Sequence, residues 1–252
     1  MKSDLRHLSE TWEVLGKEDP LWAIYSHPDK RGGRWNMKEF METGEQTVSQ
    51  YYELIAKHIP TTGLFSHVLD FGCGVGRLTF AWAKRAKSVT GVDISSAMLK
   101  IANSNLAGKD HVKFVLNPSE DLRIFKEGEF DLVFSLVCLQ HMPWSMAAKY
   151  ITDFARICAP AGVVSFQLPT RKLQTDRMAE FRQSLVESLP LGMGKVYRRW
   201  RHGSSAAFDV YFTPRSTVES TASQAGLRLI HVEPDPCAGP TTEGFFYIFR
   251  KP

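Results

Sequence analysis

The chain has 252 residues, enough to bury a sizeable core, with 43% apolar residues, 23% charged residues and a formal net charge of +4. This is ordinary globular composition; it excludes a disordered chain, and so weak a positive balance does not by itself argue for a nucleic-acid partner. The four cysteines, Cys73, Cys138, Cys158 and Cys237, form no CxxC pair and no zinc spacing, so no metal site is expected and the thiols read as reduced and intracellular.

The first twenty residues hold no apolar run of secretion-signal length, and no later run approaches a membrane span, which predicts a cytoplasmic protein. Residues 1–60 carry helical patterning. Leu8, Trp12 and Leu15 recur at helical spacing, with Ser9 placed as an N-cap, and "HPDKRGGRW" is turn-rich. A second helical period runs through Phe40, Val48, Tyr51, Tyr52 and Ile55 until Pro60 stops it.

From residue 67 strands alternate with helices. The strands are "HVLDFG", "SVTGVD", "VKFVL", "FDLVFSLV" and "GVVSFQL", and the helices include "RLTFAWAKRA", "SSAMLKIANSNL" and "SMAAKYITDFARIC". Apolar strands separated by helices predict a parallel sheet covered on both faces. The alternation pauses at 170–212, a helical stretch with a basic tip, "KVYRRWRHG". After the capped helix "TPRSTVESTASQAGL", the stretches "RLIHVEP" and "GFFYIFR" read as a closing antiparallel pair. The expected fold is a doubly wound α/β sheet of seven mostly parallel strands, with a helical N-terminal lid over 1–60 and a helical insertion after strand five.

The stretch "VLDFGCGVGRLT" places Asp70 at a strand tip, followed by Gly72, Gly74 and Gly76. Ligands of open α/β sheets sit outside the carboxyl ends of the strands, and bare glycine backbone there admits close approach. A dinucleotide turn needs its third glycine at 77, where this chain has Arg77, and Asp70 would repel a pyrophosphate. No Gly-Lys-Ser/Thr follows, so a P-loop is excluded. A ligand with a cationic end suits the acid.

"VLDFGCGVG" followed by "VTGVDIS" resembles motifs I and II of the class I S-adenosylmethionine-dependent methyltransferases, over roughly residues 64–169. The resemblance implies a Rossmann-like domain over 61–252, with 170–212 as a substrate cover, and S-adenosyl-L-methionine as cofactor. It assigns the methionine tail to Asp70 and the backbone of Gly72 and Gly74, and Cys73 between them is counted with the cofactor-binding residues. Asp93 is assigned to the ribose hydroxyls, a role that needs an ionised carboxylate. Ile94 faces adenine, Ser119 and Glu120 its edge, and Leu136 offers backbone. Pro118 departs from the family pattern, in which an acid often precedes the adenine-facing pair. Arg77 either meets the cofactor carboxylate or is a solvated helix residue. Met98 packs at the pocket wall.

Methyl transfer is an in-line displacement at an activated carbon, so positioning supplies much of the rate and no universal catalytic residue is expected. His141, after strand four, is the candidate base, the alternative being a packing role. Gln140 would orient the acceptor, with Tyr211 a weaker substrate contact. Trp35, Phe40 and Tyr51 serve either as aromatic walls beside the sulfonium or as ordinary core. Arg198, in the basic tip, serves an anionic small substrate, RNA, or only solvent.

The expected function is methylation of an oxygen or nitrogen on a small metabolite or natural product, by a chain with no membrane partner. An RNA- or protein-directed methyltransferase, and a cofactor-binding protein without turnover, remain the alternatives.

Overall fold

The computed structural model describes residues 4–59, 64–106, 108–173 and 208–252. The helical start is as the periodicity predicts: α1 (Asp4–Glu18), the short α2 (Pro20–Ile24) and α3 (Met37–His58). Ser9 lies inside α1 and does not cap it, because the helix begins five residues earlier at Asp4. Asn36 caps α3, its side chain accepting the amides of Lys38 at 2.9 Å and Glu39 at 3.3 Å. One face of α3 buries Phe40, Gly44, Val48, Tyr51 and Ile55.

The sheet has seven strands: β1 (Phe65–Phe71), β2 (Ala86–Asp93), β3 (Val112–Leu116), β4 (Phe130–Ser135), β5 (Cys158–Lys172), β6 (Arg228–Pro234) and β7 (Thr242–Arg250). Their order is β3-β2-β1-β4-β5-β7-β6. Neighbours among the first five are parallel, and β7 runs antiparallel to both β5 and β6. The strand order reverses between β1 and β4, which is where a doubly wound sheet opens a crevice. Among the described residues four further helices follow the strands: α4 (Arg77–Trp82), α5 (Ser96–Ser104), α6 (Trp144–Ile157) and α7 (Arg215–Gln224).

Successive residues of a strand point to opposite faces, and both faces here are apolar. Leu69 and Val133 pack with Ile151 and Phe154 of α6 and Val218 of α7. Val68, Leu132 and Phe134 pack on the other side with Val48 and Ile55 of α3 and Trp82 of α4. The approach of α3 to α4 needs a glycine, since a Cβ at Gly44 would lie 2.3 Å from the carbonyl oxygen of Arg77.

The boundary expected at residue 170 falls inside β5. Pairing with β7 extends that strand to Lys172, which faces Thr242. Most of the expected insertion, including Arg198 and the basic tip, lies outside the described residues.

α1 is fastened to α5 by Glu13. Its carboxylate accepts the amide of Ala97 at 3.0 Å and the hydroxyls of Ser95 and Ser96 at 3.1 Å. Burial opposes ionisation, but the Ala97 amide, Lys17 and the two serines outweigh it and pull the carboxyl down to about 2. An anion at the first turn of a helix also meets the positive end of its dipole.

Candidate active site

The carboxyl ends of β1, β2 and β4 open on one cavity of about 580 Å³. Leu8 and Trp12 of α1 and Ile24 and Tyr25 at the end of α2 supply its far wall. Asp70 and Asp93 both line it, in parallel strands where Asp70 pairs with Gly91, two residues before Asp93. Asp93 accepts the amides of Gly74 and Ser95, each at 2.8 Å, one on each carboxylate oxygen. Burial raises its pKa, against the pull of these amides. Asp70 accepts the Thr79 hydroxyl at 2.6 Å. Burial pushes its carboxyl up to about 6, against the Thr79 hydrogen bond and the Arg77 charge. Two carboxylates held in a half-apolar cleft favour a cationic guest.

The glycines do something other than bare the backbone to a ligand. A Cβ on Gly72 (φ +77°) would meet the Cys138 sulfur at 2.2 Å, and one on Gly74 (φ +54°) would meet Ile24 Cδ1 at 2.5 Å. Both neighbours line the cavity. The glycines therefore let the walls close on the turn while it holds left-handed geometry. Cys138 is half-buried and forms part of that wall. Before it comes Val137, which lines the cavity with φ +54°. A β-branched residue in the left-handed region is strained, by about 1–3 kcal/mol.

Arg77 is 6% exposed and lines the cavity. Its guanidinium lies over the Tyr25 ring at 4.8 Å, and Nη1 donates to the Thr43 and Thr47 hydroxyls at 3.3 and 3.2 Å. Nε has no partner among the described residues, and neither does the Gln140 side-chain oxygen. Arg77 is thus a buried cation facing the cleft, and the solvated-helix reading is overturned.

Gln140 and His141 sit on a short helical turn (Leu139–His141) after β4, and both line the cavity. His141 Nδ1 lies 2.8 Å from the Asp209 carbonyl oxygen. A carbonyl only accepts, so Nδ1 carries the proton and Nε2 of the neutral ring keeps its lone pair. Burial drives the ring down to about 4, against the Asp209 hydrogen bond. Trp12 and Phe208 bracket it edge-on at 5.2 and 5.0 Å.

The residues expected at the cofactor divide clearly. Cys73, Ile94, Met98 and Leu136 all reach the cavity beside the two acids, the glycines and Arg77. Ser119 and Glu120 do not. The Ser119 carbonyl accepts from Tyr150, Glu120 pairs with Lys149 at 2.7 Å, and Asn117 and Tyr150 take their place in the wall. Trp35 is also displaced: it packs on Phe40 in a separate cluster and donates its indole proton to the Tyr25 carbonyl. Tyr211 borders a smaller pocket beside His141, and its amide donates to the Gln140 backbone carbonyl at 2.8 Å. Trp12, Tyr25 and Phe208 line the cavity without a sequence signal beyond apolar spacing.

The methyltransferase-domain family matches residues 68–162, the segment that carries both acids, the glycine turn and His141. Residues 68–162 of the chain are similar to a methyltransferase domain. The ubiquinone biosynthesis O-methyltransferase of Thiobacillus denitrificans is 34% identical over 128 residues, covering 50% of this chain and 54% of that protein. The enzyme of the same description from Hydrogenovibrio crunogenus is 31% identical, over 64% of this chain and 62% of its own length. The chain thus spans less than two thirds of either relative. The fold of the methyltransferase domain is shared with magnesium protoporphyrin IX methyltransferase from Synechocystis with bound SAH, at a TM-score of 0.67, 18% identity and coverage of 99% of this chain and 100% of that one. A second structure of the same Synechocystis enzyme has bound SAM. The residues present in this chain fit it: two carboxylates for a cationic nucleoside, and an orphaned guanidinium nitrogen for its carboxylate.

Proposed function

We propose that the chain is an S-adenosylmethionine-dependent methyltransferase that methylates a hydroxyl of a small molecule. The observation that supports this best is the convergence on one cavity of the Asp70–Asp93 pair and a neutral, oriented His141. The names of the relatives favour oxygen over nitrogen as the atom methylated.

Asp93 holds the ribose with the lone pairs that Gly74 and Ser95 leave free, Asp70 faces the ammonium, and Arg77 the carboxylate. Bound here, the cofactor supplies a methyl on a positively charged sulfur, a charge that transfer removes. A proton taken at His141 Nε2 therefore replaces a positive charge in the cleft without adding one. Gln140, whose amide nitrogen lies 3.3 Å from His141 Nε2, has a side-chain oxygen left to accept from a second donor group on the substrate. Residues 1–60 act as a lid, with Trp12 and Tyr25 in place of the expected Trp35. No helix among the described residues is long and apolar enough to cross a membrane, which agrees with a cytoplasmic site of action.

The test is a metabolite extract incubated with the protein and isotope-labelled methyl donor, read by mass spectrometry. A labelled methyl ether on a hydroxylated metabolite is the expected product. Label found only in RNA or protein overturns the small-molecule reading.

A further inference from the structure

A second polar cluster lines the cavity beside Arg77. Tyr51 of α3 donates its hydroxyl proton to Asp235, which lies 184 residues away at the end of β6. Asp235 is 7% exposed, and its other oxygen accepts the Cys237 amide at 2.8 Å. The Cys237 sulfur lies 3.0 Å from the Tyr51 oxygen. Tyr51 and Cys237 line the cavity, together with Pro236 and Gly239 of the β6–β7 connection.

Proton bookkeeping fixes what this cluster presents. The Tyr51 proton is committed to a carboxylate, which can only accept. Burial, with Cys237 and Asp235 beside it, pushes the phenol far above its ordinary value, so Tyr51 stays protonated. Burial and Asp235 raise the Cys237 thiol to about 11, so it too stays protonated and serves as the donor to Tyr51. The Tyr51 oxygen is consequently an acceptor on the cavity wall, satisfied only by a weak S–H donor. A better donor from a guest displaces the thiol.

Charge selects among donors. The Arg77 guanidinium is close enough to lower the Cys237 pKa, and the cofactor carboxylate assigned to it offsets its charge. Asp235 repels an anion. A neutral O–H group satisfies the oxygen and offends neither.

We propose that Tyr51, oriented by Asp235, is a positioning residue that accepts a hydrogen bond from a neutral hydroxyl of the methyl acceptor and selects hydroxylated molecules over hydrocarbons and acids. This deepens the reading of the chain as a hydroxyl methyltransferase and rests on it. No proton leaves the hydroxyl here; the contact holds the acceptor in place.

The full chain loaded with S-adenosylhomocysteine is titrated with phenol, toluene and benzoate, followed by ligand-observed NMR. Phenol is expected to bind at least fivefold tighter than toluene and benzoate. Tyr51→Phe is expected to level phenol with toluene while S-adenosylhomocysteine affinity stays within twofold. Cys237→Ala removes the competing thiol and is expected to tighten phenol about twofold, a direction that a merely structural role does not give. Phenol no better than toluene on the wild-type protein overturns the proposal, as does a preference that survives Tyr51→Phe. If that variant fails to fold, the Cys237→Ala titration decides, and weaker or unchanged phenol binding sinks the proposal. Wild-type protein that does not bind S-adenosylhomocysteine overturns the methyltransferase reading instead.

Discussion

Asp93 takes the amide of Gly74 at 2.8 Å, so one carboxylate ties the tip of β2 to the turn that follows β1. The same side chain is assigned the ribose, which makes its loss costly twice. Asp93→Ala is expected to weaken S-adenosylhomocysteine binding at least tenfold by calorimetry, about 1.4 kcal/mol or more. Unchanged affinity removes Asp93 from the ribose.

Asp70 carries opposite consequences for folding and binding. Its folded pKa, about 6, lies above the ordinary 3.8, so the ionised form is disfavoured in the protein alone. The native state gains stability as pH falls from about 6 towards 3.8, and the penalty is fully present above 6. A cationic ligand needs the ionised form. Asp70→Asn is therefore expected to raise the melting temperature at about pH 7.5 while weakening S-adenosylhomocysteine at least tenfold. In the wild-type protein affinity should fall as pH drops below about 6, and in the variant that pH dependence should vanish. Parallel calorimetric titrations at about pH 5 and pH 7.5 check it.

Glu13 has the opposite sign. Its folded value of about 2 lies below the ordinary 4.5, so its contribution is present above 4.5 and is lost as pH falls towards 2. Glu13→Gln is expected to lower the melting temperature at neutral pH. The difference from wild type should shrink steadily below pH 4.5 in thermal scans. A constant difference across that range rejects Glu13 as the clamp between α1 and α5.

His141→Ala is expected to slow turnover by about 10²-fold or more once the acceptor is known. Donor affinity should be unchanged, because none of the donor contacts passes through the ring. Wild-type turnover returns His141 to a packing role between Trp12 and Phe208.

Val137→Asn tests the strained turn after β4. Asparagine tolerates the left-handed region far better than valine, and the substitution is expected to raise stability by about 1 kcal/mol. Urea unfolding measures it, and a loss of stability shows that valine packing outweighs the strain.

The sheet was legible because each strand is an apolar run, and the central ones are buried on both faces. Asp70 and Asp93 were legible as cavity residues because a strand tip followed by glycines has few uses, whereas Arg77 was left between two readings. After β3, Asn117 lines the cavity where Ser119 and Glu120 were expected, and the Ser119 carbonyl is spent on Tyr150. Trp35 and Trp12 look alike in sequence, since apolar spacing marks a buried face without saying whether core or cavity covers it. The left-handed Val137 has no sequence signal, because valine is the residue least expected there. Nor does the Tyr51–Asp235 pair, whose members meet only because β6 ends at the edge of the sheet where α3 crosses.

Ser95 gives its amide to Asp93 and shares its hydroxyl between Glu13 and the Trp12 carbonyl. Shifting the first helix strips partners from the residue that steadies the Asp93 carboxylate. On the proposed reading of that helix as a cover and of Asp93 as the ribose anchor, cover and grip loosen together.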